Sequence, residues 1–183
     1  ARRPVAFFAY PNKPGVLTQD STKFFELANI SDNITNVIEE LSDRVGISTD
    51  APSTISKLNI PDIPKGAINP TTLGMVLGAL IPENAIVVDE SVTTGREFFY
   101  QTAGSHPHTW LNNCGGSIGF GMPVSIGAAI SCPDRKVISL EGDGSAMYTV
   151  QSLWTMAREK LDIVVLIFAN QSYKILQGEL TNV

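Results

Sequence analysis

Over residues 67–183, short unbroken runs of Val, Ile and Leu alternate with segments of helical period. The runs "AIVVD", "TWL", "KVISL" and "DIVVLIFAN" read as strands, because they are built of Val, Ile and Leu without a regular alternation of apolar and polar positions. Before the first of them, Asn69 is placed to cap a helix and Pro70 to open it, with Leu73, Val76, Leu77 and Leu80 on one face. Residues 91–103, "PVSIGAAISC", "TVQSLWTMAREK" and "SYKILQGEL" read as further helices. "NNCGGSIGFGMP" reads as a glycine-rich turn.

The N-terminal part has a different rhythm. "PVAFFAYP" reads as a strand leaving into the turn "NKPG", and "TKFFELA" as a second strand. Ile34, Val37, Ile38, Leu41 and Val45 then fall on one helical face, with Ser31 or Asp32 as the cap and Gly46 as the stop. Residues 47–66 are rich in Ser, Thr and Pro and keep no period, which predicts a linker. The expected organisation is therefore the tail of one α/β domain over 1–46, a linker over 47–66 and a second α/β domain over 67–183.

All-apolar strands alternating with helices predict a doubly wound parallel sheet covered on both faces. Ligands of such sheets bind beyond the carboxyl ends of the strands. Loops 89–95, 141–145 and 170–173 lie at such ends, and the glycine-rich turn 115–121 follows a fourth strand.

Composition narrows the function classes. Eighteen acidic against thirteen basic residues give a net charge of −5, without the basic footprint of a nucleic-acid binder. No apolar run reaches the roughly 18 residues of a membrane span. Cys114 and Cys132 have neither metal-ligand spacing nor the density of a disulfide framework, and no signal peptide is evident, so a cytoplasmic protein is expected. The chain opens on Ala1-Arg2-Arg3-Pro4 and stops on "GELTNV", which reads as a piece of a longer protein.

The chemistry concentrates in Gly142-Asp143-Gly144-Ser145. Flanking glycines let the backbone turn sharply and approach a ligand, and the amides of Gly144, Ser145 and Ala146 at a helix start suit a phosphate. Asp143 offers the hard oxygen that Mg²⁺ prefers. The same four residues are also an ordinary strand-to-helix turn with Asp as its cap. Spacing separates the two readings. Twenty-five residues, Ser145 to Ala169, fit one helix and one strand, so Asn170 returns to the sheet edge that carries Asp143.

Gly142-Asp143-Gly144, 25 residues and Asn170 together resemble the thiamine-diphosphate motif of the acetolactate synthase, benzoylformate decarboxylase and benzaldehyde lyase superfamily. The family's second Asn is Gln171 here. The resemblance implies that Asp143, Asn170 and the main-chain carbonyl of Ser172 bind the Mg²⁺ that carries diphosphate, with Gly142, Gly144, Ser145, Ala146 and Tyr173 as cofactor-binding candidates; Tyr173 and Lys174 read equally as facing substrate and as surface positions at a helix start. "NNCGGSIGFGMPVSIGAA" is similar to the family turn that holds the cofactor's pyrimidine, which implies Ile118 as the apolar wedge and the Gly116 carbonyl as acceptor for the 4′-amino group. "VVDESVTTG" resembles a diphosphate loop, with Val92 and Thr93 as contacts; taken alone, such a segment is more often a helix N-cap with an acidic first turn.

The resemblance further implies an enzyme dependent on thiamine diphosphate and Mg²⁺ that decarboxylates 2-oxo acids or joins the product to a second carbonyl. It is most like acetolactate synthase; a benzoylformate-decarboxylase-like enzyme and a non-catalytic homologue serving as a binding or assembly subunit are the alternatives. The complete protein would be a homodimer or homotetramer. The activating glutamate is expected in an N-terminal domain outside this chain, so no catalytic residue is assigned here and the isolated chain is expected to be inactive. His106 and His108 read as a surface loop, Trp110, Trp154 and Met156 as core, and Glu141 as a neighbour that shapes the motif's potential.

Overall fold

Ile86–Val88 carries branched side chains at three successive positions, and Val137, Ile138 and Leu140 point to alternate sides of their strand, so both runs are buried on two sides, which requires a sheet between two helical layers. The computed structural model, which describes residues 4–6, 10–47 and 54–181, has that arrangement. It divides into one unit of residues up to Ile55 and a larger unit, Ser56–Thr181.

In the first unit, Val5 and Val16 form an isolated antiparallel bridge around a turn at 10–13. Residues 7–9 of the expected first strand and 48–53 of the expected linker lie outside the described residues. "TKFFELA" is not a strand; Phe25 is 88% exposed. Helix α1 spans Ile34–Val45. Its cap is Asn33, whose side chain accepts from the Asn36 amide, rather than Ser31 or Asp32. Asp32 is instead engaged by the Asn29 amide, and Ser31 by the Asn29 side chain. Gly46 ends the helix in the left-handed conformation, as its position in the sequence predicts.

The second unit begins inside the segment expected to be a linker. There the Asn59 amide donates to the Gly104 carbonyl at 2.7 Å, and Pro61 lies against Gly78. Helix α2, Pro70–Leu80, starts with a reciprocal cap: Asn69 accepts from the Thr72 amide and Thr72 Oγ1 accepts from the Asn69 amide. Four parallel strands follow, β1 (Ile86–Glu90), β2 (Thr109–Asn112), β3 (Val137–Gly142) and β4 (Ile163–Phe168), in the spatial order β2-β1-β3-β4. The helices between them are α3 (Phe98–Gln101), α4 (Gly121–Ser131), α5 (Asp143–Ala146) and α6 (Ser152–Arg158), and α7 (Lys174–Leu180) follows β4. The expected doubly wound α/β sheet is the observed one.

Strand alternation assigns the two faces. Val87, Ile138 and Leu140 pack with Leu77, Ile81 and Phe98 on one side, and Ile86, Val88 and Val137 pack with Ala129 of α4 on the other. Burying each such side chain contributes about 1.5–3 kcal/mol. By the same alternation Glu90 on β1, and Ser139 and Glu141 on β3, share the α4 side with these aliphatics, and all three are buried. Parallel register sets Glu90 directly opposite Glu141.

The helix expected over 91–103 is only partly present. Residues 92–97 form turns, and α3 covers four residues. A Cβ at Gly95 would lie 1.8 Å from Ser91 Oγ, so the chain folds back on itself there and helical propagation gives way to packing. Trp154 is also not core: it is 64% exposed and carries Arg158 over its ring.

Candidate functional site

Parallel pairing of β1, β3 and β4 brings the loops after all three strands to one edge. A narrow cleft of about 60 Å³ opens between them, lined by Val92 and Thr93 after β1, Gly142 at the end of β3 with Asp143, Gly144 and Ser145 after it, Asn170, Ser172, Tyr173 and Lys174 after β4, and Ile118 from the glycine-rich turn. Gly116 faces an adjoining depression of about 440 Å³ that also includes Val92 and Ile118. Ala146 lines neither: its side chain is buried with Met122 and Met156 beneath the loop. Residues drawn from four separate stretches of sequence thus meet around one opening.

Hydrogen bonds tie the loops together. Asp143 Oδ2 accepts from the Gln171 amide at 2.9 Å and Oδ1 from the Gly144 amide at 3.0 Å. Asn170 accepts from the Ser172 amide at 2.9 Å and donates to Thr94 Oγ1 at 3.3 Å. The two side chains expected to bind metal therefore join β4's loop to those of β3 and β1. Thr94 had no distinguishing signal in the sequence.

Two backbone positions here are unusual. Val92 and Gln171 have φ of 51° and 53°, in the left-handed region that β-branched and long side chains avoid. Such strain persists only where surrounding contacts over-determine the backbone, and it clusters at ligand loops. Gln171 is the position at which the resembling family has Asn, a residue that tolerates this conformation better.

Gly144 is covered by the ring of Tyr173: a Cβ there would lie 2.6 Å from Cε1. The turn 115–121 uses positive φ at Gly115, Gly116 and Gly119 to reverse direction before α4. Within it the Ile118 amide donates to the Gly116 carbonyl at 2.9 Å, and Thr149 Oγ1 donates to the Gly119 carbonyl at 3.0 Å. Ile118 is not core packing. It is 41% exposed and borders both openings.

Beneath this turn lies a feature the strand pattern did not reveal. Both carboxylate oxygens of Glu90 accept backbone amides, one from Gly119 and the other from Gly121 at 2.6 Å. Glu141, fully buried opposite it, accepts from Ser139 Oγ at 2.6 Å through Oε1, while Oε2 has no partner. Burial pushes the Glu141 carboxyl up to about 7, reinforced by the Glu90 carboxylate beside it and only partly offset by the Ser139 hydrogen bond. A charged residue closing an apolar run reads in sequence as the start of a turn. Only register and strand alternation turn both glutamates inward.

Other candidates are not part of this site. His108 Nδ1 lies 2.7 Å from the His106 carbonyl, and no group of three or more His, Cys, Asp or Glu that could hold a metal occurs among the described residues. Cys114 is exposed. No helix among the described residues is long and apolar enough to cross a membrane.

Comparison with known proteins agrees with the geometry. Residues 94–183 match the family described as thiamine pyrophosphate enzyme, C-terminal TPP binding domain. A Mycobacterium tuberculosis protein described as an acetolactate synthase large subunit, IlvX, is 44% identical over the whole chain, which spans 35% of that protein. A benzoylformate decarboxylase of Pseudomonas aeruginosa is 36% identical over 112 residues, covering 61% of this chain and 21% of its own length. Among solved structures, a thiamine diphosphate-dependent 4-hydroxybenzoylformate decarboxylase of Rhodococcus jostii RHA1 superposes with a TM-score of 0.62 at 29% identity, over 80% of this chain and 28% of that one. The chain thus spans about a third or less of the relatives it matches. The fold and the family match together identify residues 94–183 as a thiamine pyrophosphate enzyme C-terminal TPP binding domain.

Proposed function

We propose that the complete protein is a thiamine-diphosphate- and Mg²⁺-dependent enzyme that decarboxylates a 2-oxo acid and joins the product to a second carbonyl, in the manner of an acetolactate synthase. The observation that carries the reading is the meeting of Asp143, Asn170 and Ser172 at one cleft beside Gly144 and Ser145. A single carboxylate, a carboxamide oxygen and a main-chain carbonyl are hard oxygen donors. Mg²⁺ that also holds a diphosphate takes few protein ligands of that kind, so the donor set fits. On binding, Asp143 would exchange its contacts with the Gln171 and Gly144 amides, or share them, with the ion.

When bound, thiamine diphosphate supplies the electron sink needed to cleave the bond between a carbonyl carbon and its carboxylate. The chain's own part is orientation. Asp143, Asn170 and Ser172 anchor the metal end, while Val92, Thr93, Gly142, Gly144, Ser145, Ala146 and Tyr173 border or support the phosphate side. Gly116 and Ile118 hold the ring side through a carbonyl and an aliphatic wedge. Lys174, lining the same cleft, contributes a cation near the expected negative charge.

A benzoylformate-decarboxylase-like reading is favoured by the likeness to two proteins bearing such names. In either reading the full protein is a cytoplasmic homodimer or homotetramer and the isolated chain is inactive. Assaying CO₂ release by the complete protein on pyruvate and on benzoylformate separates the two activities. Asp143→Ala in that protein should abolish Mg²⁺-dependent binding of thiamine diphosphate in titration calorimetry; unchanged affinity would remove the metal assignment and the reading built on it.

A further inference from the structure

The Glu90 carboxylate reaches from the sheet into the glycine-rich turn, and the proposed function makes no use of it. Its two oxygens take the amides of Gly119 and Gly121, the second of which is the first residue of α4. A carboxylate at a helix start is held by the free amides and by the helix dipole together. The Glu90 carbonyl, meanwhile, lies 3.3 Å from Ser145 Oγ, which is also 3.2 Å from the Gly142 carbonyl. One residue therefore touches both halves of the site, the turn through its side chain and the Gly-Asp-Gly loop through its backbone.

The packing leaves this turn little freedom to sit elsewhere. A Cβ on Gly121 would lie 2.3 Å from Glu141 Oε1 and 2.8 Å from Glu90 Oε2, so the backbone rests directly on the two carboxyl groups. Ser125 Oγ, 2.9 Å from both the Gly121 carbonyl and Ser139 Oγ, closes the arrangement from the α4 side. Placing two acidic side chains under a helix start is costly unless their acceptors are used. Here the amides of the turn use those of Glu90.

We propose that Glu90 is a positioning residue for the cofactor: by clamping the Gly119 and Gly121 amides it sets Gly116 and Ile118 relative to the Asp143–Ser145 loop. This inference rests on the reading that Gly116 and Ile118 hold the ring side of thiamine diphosphate. The clamp itself is a property of the cofactor-free fold and can be tested without that reading. Glu90→Gln retains the side chain's length but presents an NH₂ group to one of the two amides, so one hydrogen bond is lost and the other loses its charge.

The experiment uses the complete protein. In its cofactor-free form, amide exchange resolved to single residues should show Gly119 and Gly121 protected to a degree similar to β3. In Glu90→Gln, exchange over 116–121 should accelerate by about tenfold or more while β4 is unchanged. In the loaded enzyme, kcat at saturating cofactor should fall by about tenfold or more, with cofactor affinity within about threefold of the wild type, since the diphosphate anchor is intact. Unprotected Gly119 and Gly121 amides in the wild type would overturn the clamp even if the variant fails to fold. So would unchanged exchange over the turn, or an equal acceleration throughout the domain. A turn that loosens with no change in kcat would overturn the positioning role. Asp143→Ala run alongside keeps the two ideas apart, because retained cofactor affinity there sinks the site reading while the exchange data still judge Glu90.

Discussion

Replacing Glu141 by Gln tests the electrostatics beneath the site most directly. The side chain is fully buried, and its carboxyl is raised from 4.5 to about 7. A raised carboxyl means that the folded state binds the proton more tightly than the unfolded state. Stability from this group is therefore complete below about pH 4.5 and is lost as pH rises through about 7. At about 1.4 kcal/mol per decade, the whole interval amounts to about 3.5 kcal/mol, of which about 2.5 kcal/mol falls above pH 5. Gln has no charge to bury. Its carbonyl can keep the Ser139 hydrogen bond, and its NH₂ can occupy the position of the unpartnered Oε2 and donate toward Glu90. Urea unfolding of the protein at pH 5 and pH 8 should thus show the wild type losing about 2.5 kcal/mol more than the variant between the two, with the variant the more stable at pH 8. Equal pH dependence in the two proteins would refute the reasoning, because Glu141 would then not be titrating in that interval.

Two further predictions concern the backbone. Gly121→Ala drives a Cβ into two buried carboxyl groups and should cost about 2 kcal/mol or more in denaturant unfolding. At Gly144 the atoms nearest an added Cβ are those of the Tyr173 ring, which is 54% exposed and free to swing outward, so Gly144→Ala should cost about half as much or less; equal losses would contradict the geometry. Gln171→Asn should raise stability by about 0.5 kcal/mol, since Asn adopts the left-handed conformation at lower cost; a fall in thermal midpoint would argue against the observed φ.

The four strands were legible because their Val, Ile and Leu come in runs rather than at every second position, although only β1 and β3 are buried along most of their length while β2 and β4, at the two edges of the sheet, stay half-exposed. Asn69-Pro70 and Gly46 were legible for a local reason: caps depend on one residue's own backbone preference and hydrogen bonding. Where local preference met packing, the reading failed. Residues 92–97 are not helical because Gly95 folds against Ser91, and no periodicity contains that information. "TKFFELA" has the composition of a strand without becoming one, since a strand needs a neighbouring strand to pair with.

By itself, the sequence determined the α/β class, the order of elements and the spacing that returns Asn170 to the edge bearing Asp143, because rise per residue and the length of a helix-strand unit are properties of the chain. Only the tertiary structure decided that Glu90 stands opposite Glu141 beneath the glycine-rich turn. Register between strands far apart in sequence is set by packing across the whole sheet, and the inward direction of a charged side chain depends on the amides that wait to receive it.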